Sequence, residues 1–124
     1  ECYPGQLNQV FMNLLANAID AVEELHQRRS SEGIDANPGI IRIWTEQIDN
    51  SWVAIHIADN GLGMSEAVRS RLFDPFFTTK PIGKGTGLGL SISYQIVTKK
   101  HGGELHCYSA LDRGTEFAIK IPIE

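Results

Sequence analysis

The sequence predicts an α+β fold, a two-layer α/β sandwich in which a mixed, mostly antiparallel sheet packs against about three helices. Strand patterns come in two adjacent pairs, residues 40–48 with 52–58 and residues 104–110 with 115–123. Helical patterns stand before and between these pairs. Adjacent antiparallel pairs that share helices on one face form two layers around one core.

The first helix is predicted over residues 5–29. Apolar residues recur there at helical spacing and form one stripe, namely Leu7, Val10, Phe11, Leu14, Ala18, Ala21, Val22 and Leu25. Met12, Leu15 and Ile19 widen this stripe. We therefore expect the helix to be covered on more than one side.

Two strands are predicted to bring polar residues to the core face. In residues 52–58 the apolar side chains alternate, and Asp59 ends the strand with the parity of Ile57. A carboxylate on the buried side needs a partner. The last strand has one apolar face that begins at a threonine and comprises Thr115, Phe117, Ile119, Ile121 and Ile123.

The middle of the chain is less regular. Ser65 is predicted to cap a short helix that runs to about Leu72. Residues 73–86 are expected to be irregular. A helix follows over residues 87–100 and stops at Gly102 and Gly103, with an apolar stripe made of Leu88, Ile92, Ile96 and Val97.

Composition excludes several functional classes. The net charge of −4 argues against nucleic acid as the main partner. The two cysteines, Cys2 and Cys107, fit free thiols in a reducing cytosol. The sequence has neither an apolar run of about 18 residues nor a signal-peptide pattern. Residues 1–124 are interpreted as one domain cut from a longer protein, because the chain starts abruptly before a helix without Met.

A glycine motif indicates a phosphate site. Gly85, Gly87 and Gly89 alternate and lead directly into a helical pattern. Glycine lets the backbone approach a ligand closely, and a helix start offers free N–H groups and a positive dipole end. Lys80 and Lys84 precede the motif as candidate cations, although most lysines are simply solvated. Neither a Walker motif nor a dinucleotide fingerprint fits this stretch.

Two further groups could complete a nucleotide pocket. Asn13 and Asn17 share one face of the first helix, and amide oxygens can ligate Mg²⁺ beside phosphates, although either could be an ordinary polar flank. Asp59, Gly61 and Gly63 could hold adenine, or could form an ordinary turn. The histidines show no metal spacing and are each expected at the surface, namely His26, His56, His101 and His106.

In chain order, five segments resemble the motifs of the ATP-binding catalytic domain of sensor histidine kinases, in the GHKL superfamily. QLNQVFMNLLANAIDAV resembles the N box, DNGLGM the G1 box, LFDPFF the F box and GTGLGL the G2 box, while GTEF resembles the last glycine motif. The set covers nearly the whole chain. FFTTK is similar to the nitrogen-regulator type of sensor kinase.

The resemblance implies a role for each matching residue. Asn17 corresponds to the Mg²⁺ ligand, and Asn13 to a polar residue beside the phosphates. Asp59 corresponds to the acidic residue that binds the adenine amino group, and Thr115 assists through water. Residues 74–86 correspond to a lid that we expect to be poorly ordered without nucleotide. The other implied ATP contacts are Gly61, Gly63, Met64, Phe77, Lys80, Lys84, Gly85, Thr86, Gly87, Leu88 and Gly89.

The residue one turn before the Mg²⁺ ligand decides the reaction class. The superfamily's ATPases carry there a Glu that activates water, whereas the amide of Asn13 cannot act as a general base. We therefore expect transfer of the γ-phosphoryl group to an acceptor, with Asn13 and Lys80 as catalytic residues. Asp20 replaces a basic residue that many sensor kinases carry, so Lys80 or Lys84 is expected to supply the cation. The alternatives are a gyrase- or chaperone-type ATPase switch and a degenerate nucleotide-binding module.

The phosphoacceptor is expected elsewhere in the parent protein. In the family it is a His followed by an acidic residue, and none of the four histidines in this chain has that neighbour. The resemblance places it in a separate helical dimerisation domain, N-terminal to residue 1. It further implies a response-regulator receiver domain as indirect partner, a homodimeric parent, a cytoplasmic location, and a monomeric fragment with little activity alone. Membrane anchoring of the parent through other regions stays open.

Overall fold

The computed structural model describes residues 4–31, 39–74 and 89–123. The elements, in chain order, are α1 (Pro4–Ser31), β1 (Ile41–Gln47), β2 (Trp52–Asp59), α2 (Glu66–Ser70), α3 (Gly89–Gln95), a π-helical turn (Ile96–Lys100), β3 (Glu104–Ala110) and β4 (Gly114–Pro122). The predicted α+β class and order of elements are confirmed. Within these residues no helix is both long and apolar enough to cross a bilayer.

The four strands form one sheet in the order β1-β2-β4-β3. Each neighbouring pair in the described part of the chain is antiparallel, so the parallel component of the predicted mixed sheet is not found there. Both predicted hairpins form. In the first, the backbone N–H of Ser51 donates to Asp49 Oδ1 at 2.6 Å, because a short Asp side chain readily closes such a turn.

The core lies between the sheet and α1. Val10 and Leu14 of α1 have no exposed surface, and neither has Ile119 of the central strand β4. The alternation predicted for β4 is confirmed from Thr115 onward but fails at Ile123. That side chain is 42% exposed, since the strand ends at Pro122.

The second covered side predicted for α1 is wrong within the described residues. Leu15 is partly buried against the core, but Met12 is 59% and Ile19 48% exposed. A helix that packs on one sheet buries a single stripe, and α1 turns the stripe of Val10, Leu14 and Ala18 toward the sheet.

The stripe predicted for the last helix is wrong at Ile92, which is 37% exposed. Ser91 and Ser93 are buried instead. Gly89 and Ser93 lie one helical turn apart and face α1, where the side chain of Asn13 meets the serine hydroxyl. Hydrophobic spacing alone could not indicate this rotation of the helix.

One histidine, His101, is not the surface residue that we expected. It is buried after the π-helical turn, and its Nδ1 lies 3.0 Å from Ile96 O. His56 lies on the sheet face that points away from the helices, where its ring stacks on Trp44 at 4.7 Å. Its two ring nitrogens lie 2.7 Å from Glu46 Oε1 and 2.8 Å from Glu116 Oε2. Each ring is therefore held by specific partners and is not simply solvated.

Candidate functional site

Asp59 and Thr115 lie opposite each other where β2 ends and β4 begins. Asp59 Oδ1 accepts a hydrogen bond from the backbone N–H of Gly61 at 2.8 Å. Burial raises the pKa of Asp59 above its usual range, although the N–H groups of Gly61 and Thr115 counteract that rise. Thr115 is buried on the same face, as the alternation predicts. The buried Thr115 and the half-buried Asp59 therefore form a polar group at one end of the sheet.

The glycines after Asp59 allow the loop to pack closely. A Cβ at Gly61 would lie 2.8 Å from Ala21 Cβ, so this glycine lets the loop rest on the backbone of α1. Gly63 has φ +74° and lies tightly against Ala110 O. Both glycines contact protein, and they shape the predicted adenine site by letting its walls approach each other.

Ser109 is a site residue that the sequence analysis missed. Its hydroxyl accepts from the backbone N–H of Met64 at 2.8 Å and lies 2.8 Å from Thr115 Oγ1 and 3.0 Å from Gly114 O. Ser109 pairs with Thr115 across β3 and β4, so both side chains lie on one face. The sequence signal that could have indicated Ser109 is its place as a polar residue on the inward face of the predicted strand 104–110.

The two asparagines of α1 form a second polar group. Asn13 Nδ2 donates to Gly89 O at 3.3 Å and to Ser93 Oγ at 3.2 Å. Because a carbonyl oxygen can only accept, these contacts fix which end of the Asn13 amide faces α3. Asn17 Nδ2 donates to Asn13 O at 3.1 Å, which leaves Asn17 Oδ1 as the atom that can bind a cation.

Helix α1 joins the two groups. Asn13, Asn17 and Ala21 follow at intervals of four residues and therefore share one face. Gly89 contacts this face at Asn13, and Gly61 contacts it at Ala21. A rise of about 1.5 Å per residue separates Asn13 and Ala21 by about 12 Å along the helix axis. Gly61 and Gly89 thus lie against the same helix, about two turns apart.

The other predicted ATP contacts lie outside the described residues, namely Phe77, Lys80, Lys84, Gly85, Thr86, Gly87 and Leu88. The predicted lid, residues 74–86, also lies outside them except for Asp74. The part of the chain that is described brings together Asn13, Asn17 and Gly89 as one group, and Asp59, Gly61, Gly63, Met64 and Thr115 as the other.

Comparisons with known proteins show the family of this chain. The family described as "Histidine kinase-, DNA gyrase B-, and HSP90-like ATPase" matches residues 2–124. Two-component sensor PprA of Pseudomonas aeruginosa is 41% identical over 123 residues, which are 95% of this chain and 12% of that protein. Sporulation kinase E of Bacillus subtilis is 38% identical over 122 residues, which are 98% of this chain and 14% of that protein. The chain thus spans a small part of these relatives.

Solved structures show the same fold. The catalytic domain of histidine kinase ThkA, in a nucleotide-free form, has a TM-score of 0.75 and 31% identity, with 98% of this chain and 69% of that chain covered. Full-length ShkA in complex with AMPPNP has a TM-score of 0.73 and 28% identity, with 95% and 21% covered. The chain belongs to the family of histidine kinase-, DNA gyrase B- and HSP90-like ATPases, and its likeness to the ThkA catalytic domain groups it with the catalytic domains of histidine kinases.

Proposed function

We propose that this domain binds Mg²⁺-ATP and transfers the γ-phosphoryl group to a histidine on a separate helical dimerisation domain of the same protein. The observation that carries the proposal is the face of α1 that contacts Gly61 at Ala21 and Gly89 at Asn13. An adenine nucleotide lying along that face would have its base near Asp59 and its phosphates near Asn13 and Asn17. The ShkA structure, a relative with the same fold, contains AMPPNP, an adenine nucleotide analogue.

Asn13 supports transfer over hydrolysis. Its amide has no basic atom for activating water, and its nitrogen is already bonded to Gly89 O and Ser93 Oγ. A Glu at this position would direct a carboxylate toward the Gly89 carbonyl oxygen, which is repulsive. The local structure is therefore adapted to an amide and is unsuited to the catalytic Glu of the hydrolytic relatives.

Asn17 is the proposed Mg²⁺ ligand. Its anchored amide nitrogen orients a neutral oxygen donor, which suits a hard cation that takes most of its ligands from phosphates and water. No cluster of three or more His, Cys, Asp or Glu within the described ranges could form an all-protein metal site. Bound Mg²⁺ would neutralise charge on the β- and γ-phosphates, and the chain's own contribution is to orient Asn17.

Several finer features belong to the same proposal. Residues 1–124 are proposed to be the catalytic domain of a longer homodimeric sensor kinase of the nitrogen-regulator type, located in the cytoplasm, with a response-regulator receiver domain as indirect partner.

Lys80 is proposed to stabilise charge on the transferred phosphoryl group. Lys84 and the N–H groups of residues 86–89 are proposed to bind phosphate oxygens. Comparing ATP affinity of Lys80→Ala and Lys84→Ala with wild type tests the lysines, and unchanged affinity in both would exclude this role.

The function is tested by two measurements on one preparation. Titration calorimetry with ADP and Mg²⁺ should detect binding. If no binding is seen at millimolar nucleotide, the alternative of a degenerate nucleotide-binding module is favoured. With γ-labelled ATP, label should reach a phosphoacceptor domain supplied in excess, while phosphate release without acceptor stays slow. Strong turnover without acceptor would instead identify an ATPase switch. Asn13→Glu, first checked for folding, is the comparison for hydrolysis, and its phosphate release should also stay slow because the carboxylate would face Gly89 O.

A further inference from the structure

The hydroxyl of Ser109 makes three contacts that together determine its hydrogen-bond directions. It accepts from the N–H of Met64, and Gly114 O can only accept. All three contacts are hydrogen bonds only when Ser109 donates to Gly114 O and Thr115 Oγ1 donates to Ser109. If Ser109 donated to Thr115 instead, its contact with Gly114 O would have no proton. The Thr115 hydroxyl therefore has its proton directed toward Ser109 and offers lone pairs to a ligand.

The same hairpin holds the loop after Asp59. The backbone N–H of Asp112, in the turn between β3 and β4, donates to Leu62 O at 2.7 Å. Gly63 packs against Ala110 O, and Met64 donates to Ser109. Consecutive loop residues thus contact the hairpin, and Ser109 links the loop to Thr115. Loss of this hydroxyl would remove the acceptor for the Met64 N–H and the acceptor for the Thr115 hydroxyl proton at the same time.

We propose that Ser109 is a positioning residue for recognition of a 6-aminopurine base. An ionised Asp59 only accepts hydrogen bonds, and Ser109 makes the Thr115 hydroxyl an acceptor as well. Two acceptors favour the amino group of adenine and disfavour the carbonyl oxygen that a 6-oxopurine has in its place. The inference rests on the proposed function, because it concerns the base end of the same nucleotide site.

The test compares ADP with inosine diphosphate (IDP), which carries the 6-oxo base and the same phosphates. Wild type should prefer ADP. Ser109→Ala should weaken ADP binding by about three- to tenfold and IDP binding by less than about twofold, as expected for loss of hydrogen bonds specific to one base. Ser109→Thr keeps the hydroxyl and should restore the preference. Ser70→Ala is the matched control, because that exposed hydroxyl donates to Ala67 O away from the site.

Each outcome separates this inference from the proposed function. A wild-type protein that binds neither nucleotide contradicts the proposed function. A wild-type preference for ADP that is unchanged in Ser109→Ala contradicts the role of Ser109, as does an equal loss of both nucleotides, which would indicate a structural role alone. If Ser109→Ala does not fold, Thr115→Val removes the other partner, and an unchanged preference in that variant overturns the inference.

Discussion

Gly63→Ala tests whether the loop after Asp59 is clamped as tightly as the contacts indicate. Gly63 has φ +74°, a left-handed conformation that costs a residue with a Cβ about 1–2 kcal/mol. The added Cβ would also lie far closer to Ala110 O than the 3.0 Å below which such contacts essentially never occur. Relieving this overlap requires movement of the β3–β4 hairpin and costs about 1–3 kcal/mol more. We expect a total loss of about 2–5 kcal/mol.

Gly102→Ala is the matched control for backbone strain. Gly102 has φ +65°, but a Cβ there would meet nothing within 4 Å. Gly102→Ala should therefore lower the free energy of unfolding only by the cost of the left-handed backbone, about 1–2 kcal/mol. Both variants gain equally from a stiffer unfolded chain, so the difference between them isolates crowding. Urea unfolding followed by circular dichroism measures each free energy of unfolding. Equal losses in the two variants would refute the clamp.

Burial and charge lead to three other expected outcomes. Leu14→Ala should lower the free energy of unfolding in urea by about 2–5 kcal/mol, because Leu14 is fully buried. Met12→Ala should change it by no more than about 0.5 kcal/mol, because Met12 is exposed. Similar losses in the two variants would contradict the assigned core. Burial raises the pKa of the Cys107 thiol to about 12, so this thiol should react slowly in the folded protein. In a Cys2→Ser variant, Ellman's reagent at about pH 8 should therefore detect a thiol only after denaturation. Fast labelling of the native protein would contradict this. The ADP-to-IDP affinity ratio should fall on acidification, because burial raises the pKa of Asp59 and its carboxylate is therefore protonated at a higher pH than that of an ordinary Asp; a ratio that does not change with pH would exclude an ionised Asp59 acceptor.

The sign of the Asp59 effect differs between binding and folding. A raised pKa means that the folded protein holds the proton more tightly than the unfolded chain does. The associated stability is fully present below the unfolded pKa and is lost as the pH rises through the folded pKa. Nucleotide binding through an ionised Asp59, as proposed, would instead be lost as the pH falls. The domain thus carries a half-buried carboxylate whose ionised form opposes folding but would serve nucleotide binding.

Local sequence signals predicted most elements because local forces determine them. The alternation from Thr115 to Ile121 predicted the buried face of β4, and strand parity predicted the core side for Asp59 as well. That Asp59 and Thr115 lie opposite each other became known only from the pairing of β2 with β4. Ser65 was predicted as a cap, and its hydroxyl accepts from Val68 N at 3.3 Å. Gly102 was predicted to stop the last helix, and it adopts the positive φ that such a stop requires.

Features that depend on contacts distant in sequence were not predictable. Burial of Ser93 follows from its contact with Asn13 on another helix, and His101 is buried after a π-helical turn without a local sequence signature. His56 contacts Glu46 and Glu116 on the two neighbouring strands, which only the strand register can bring together. In each case the polar group is satisfied by a partner that no periodicity indicates.

The residues that implied catalysis also hold the fold together, and this limits how the site can change. Asn13 was predicted as a phosphate-side residue, yet its amide also fixes the first turn of α3 through Gly89 and Ser93. Gly61 was predicted for the base, yet it sets how closely its loop approaches α1 at Ala21. Gly61 and Gly89 both contact one face of α1, so a substitution at Asn13 or at Gly61 changes more than its own contact. Hydrolysis would therefore require more than a Glu at position 13, because the hydrogen bonds that Asn13 Nδ2 donates to Gly89 O and Ser93 Oγ would be lost.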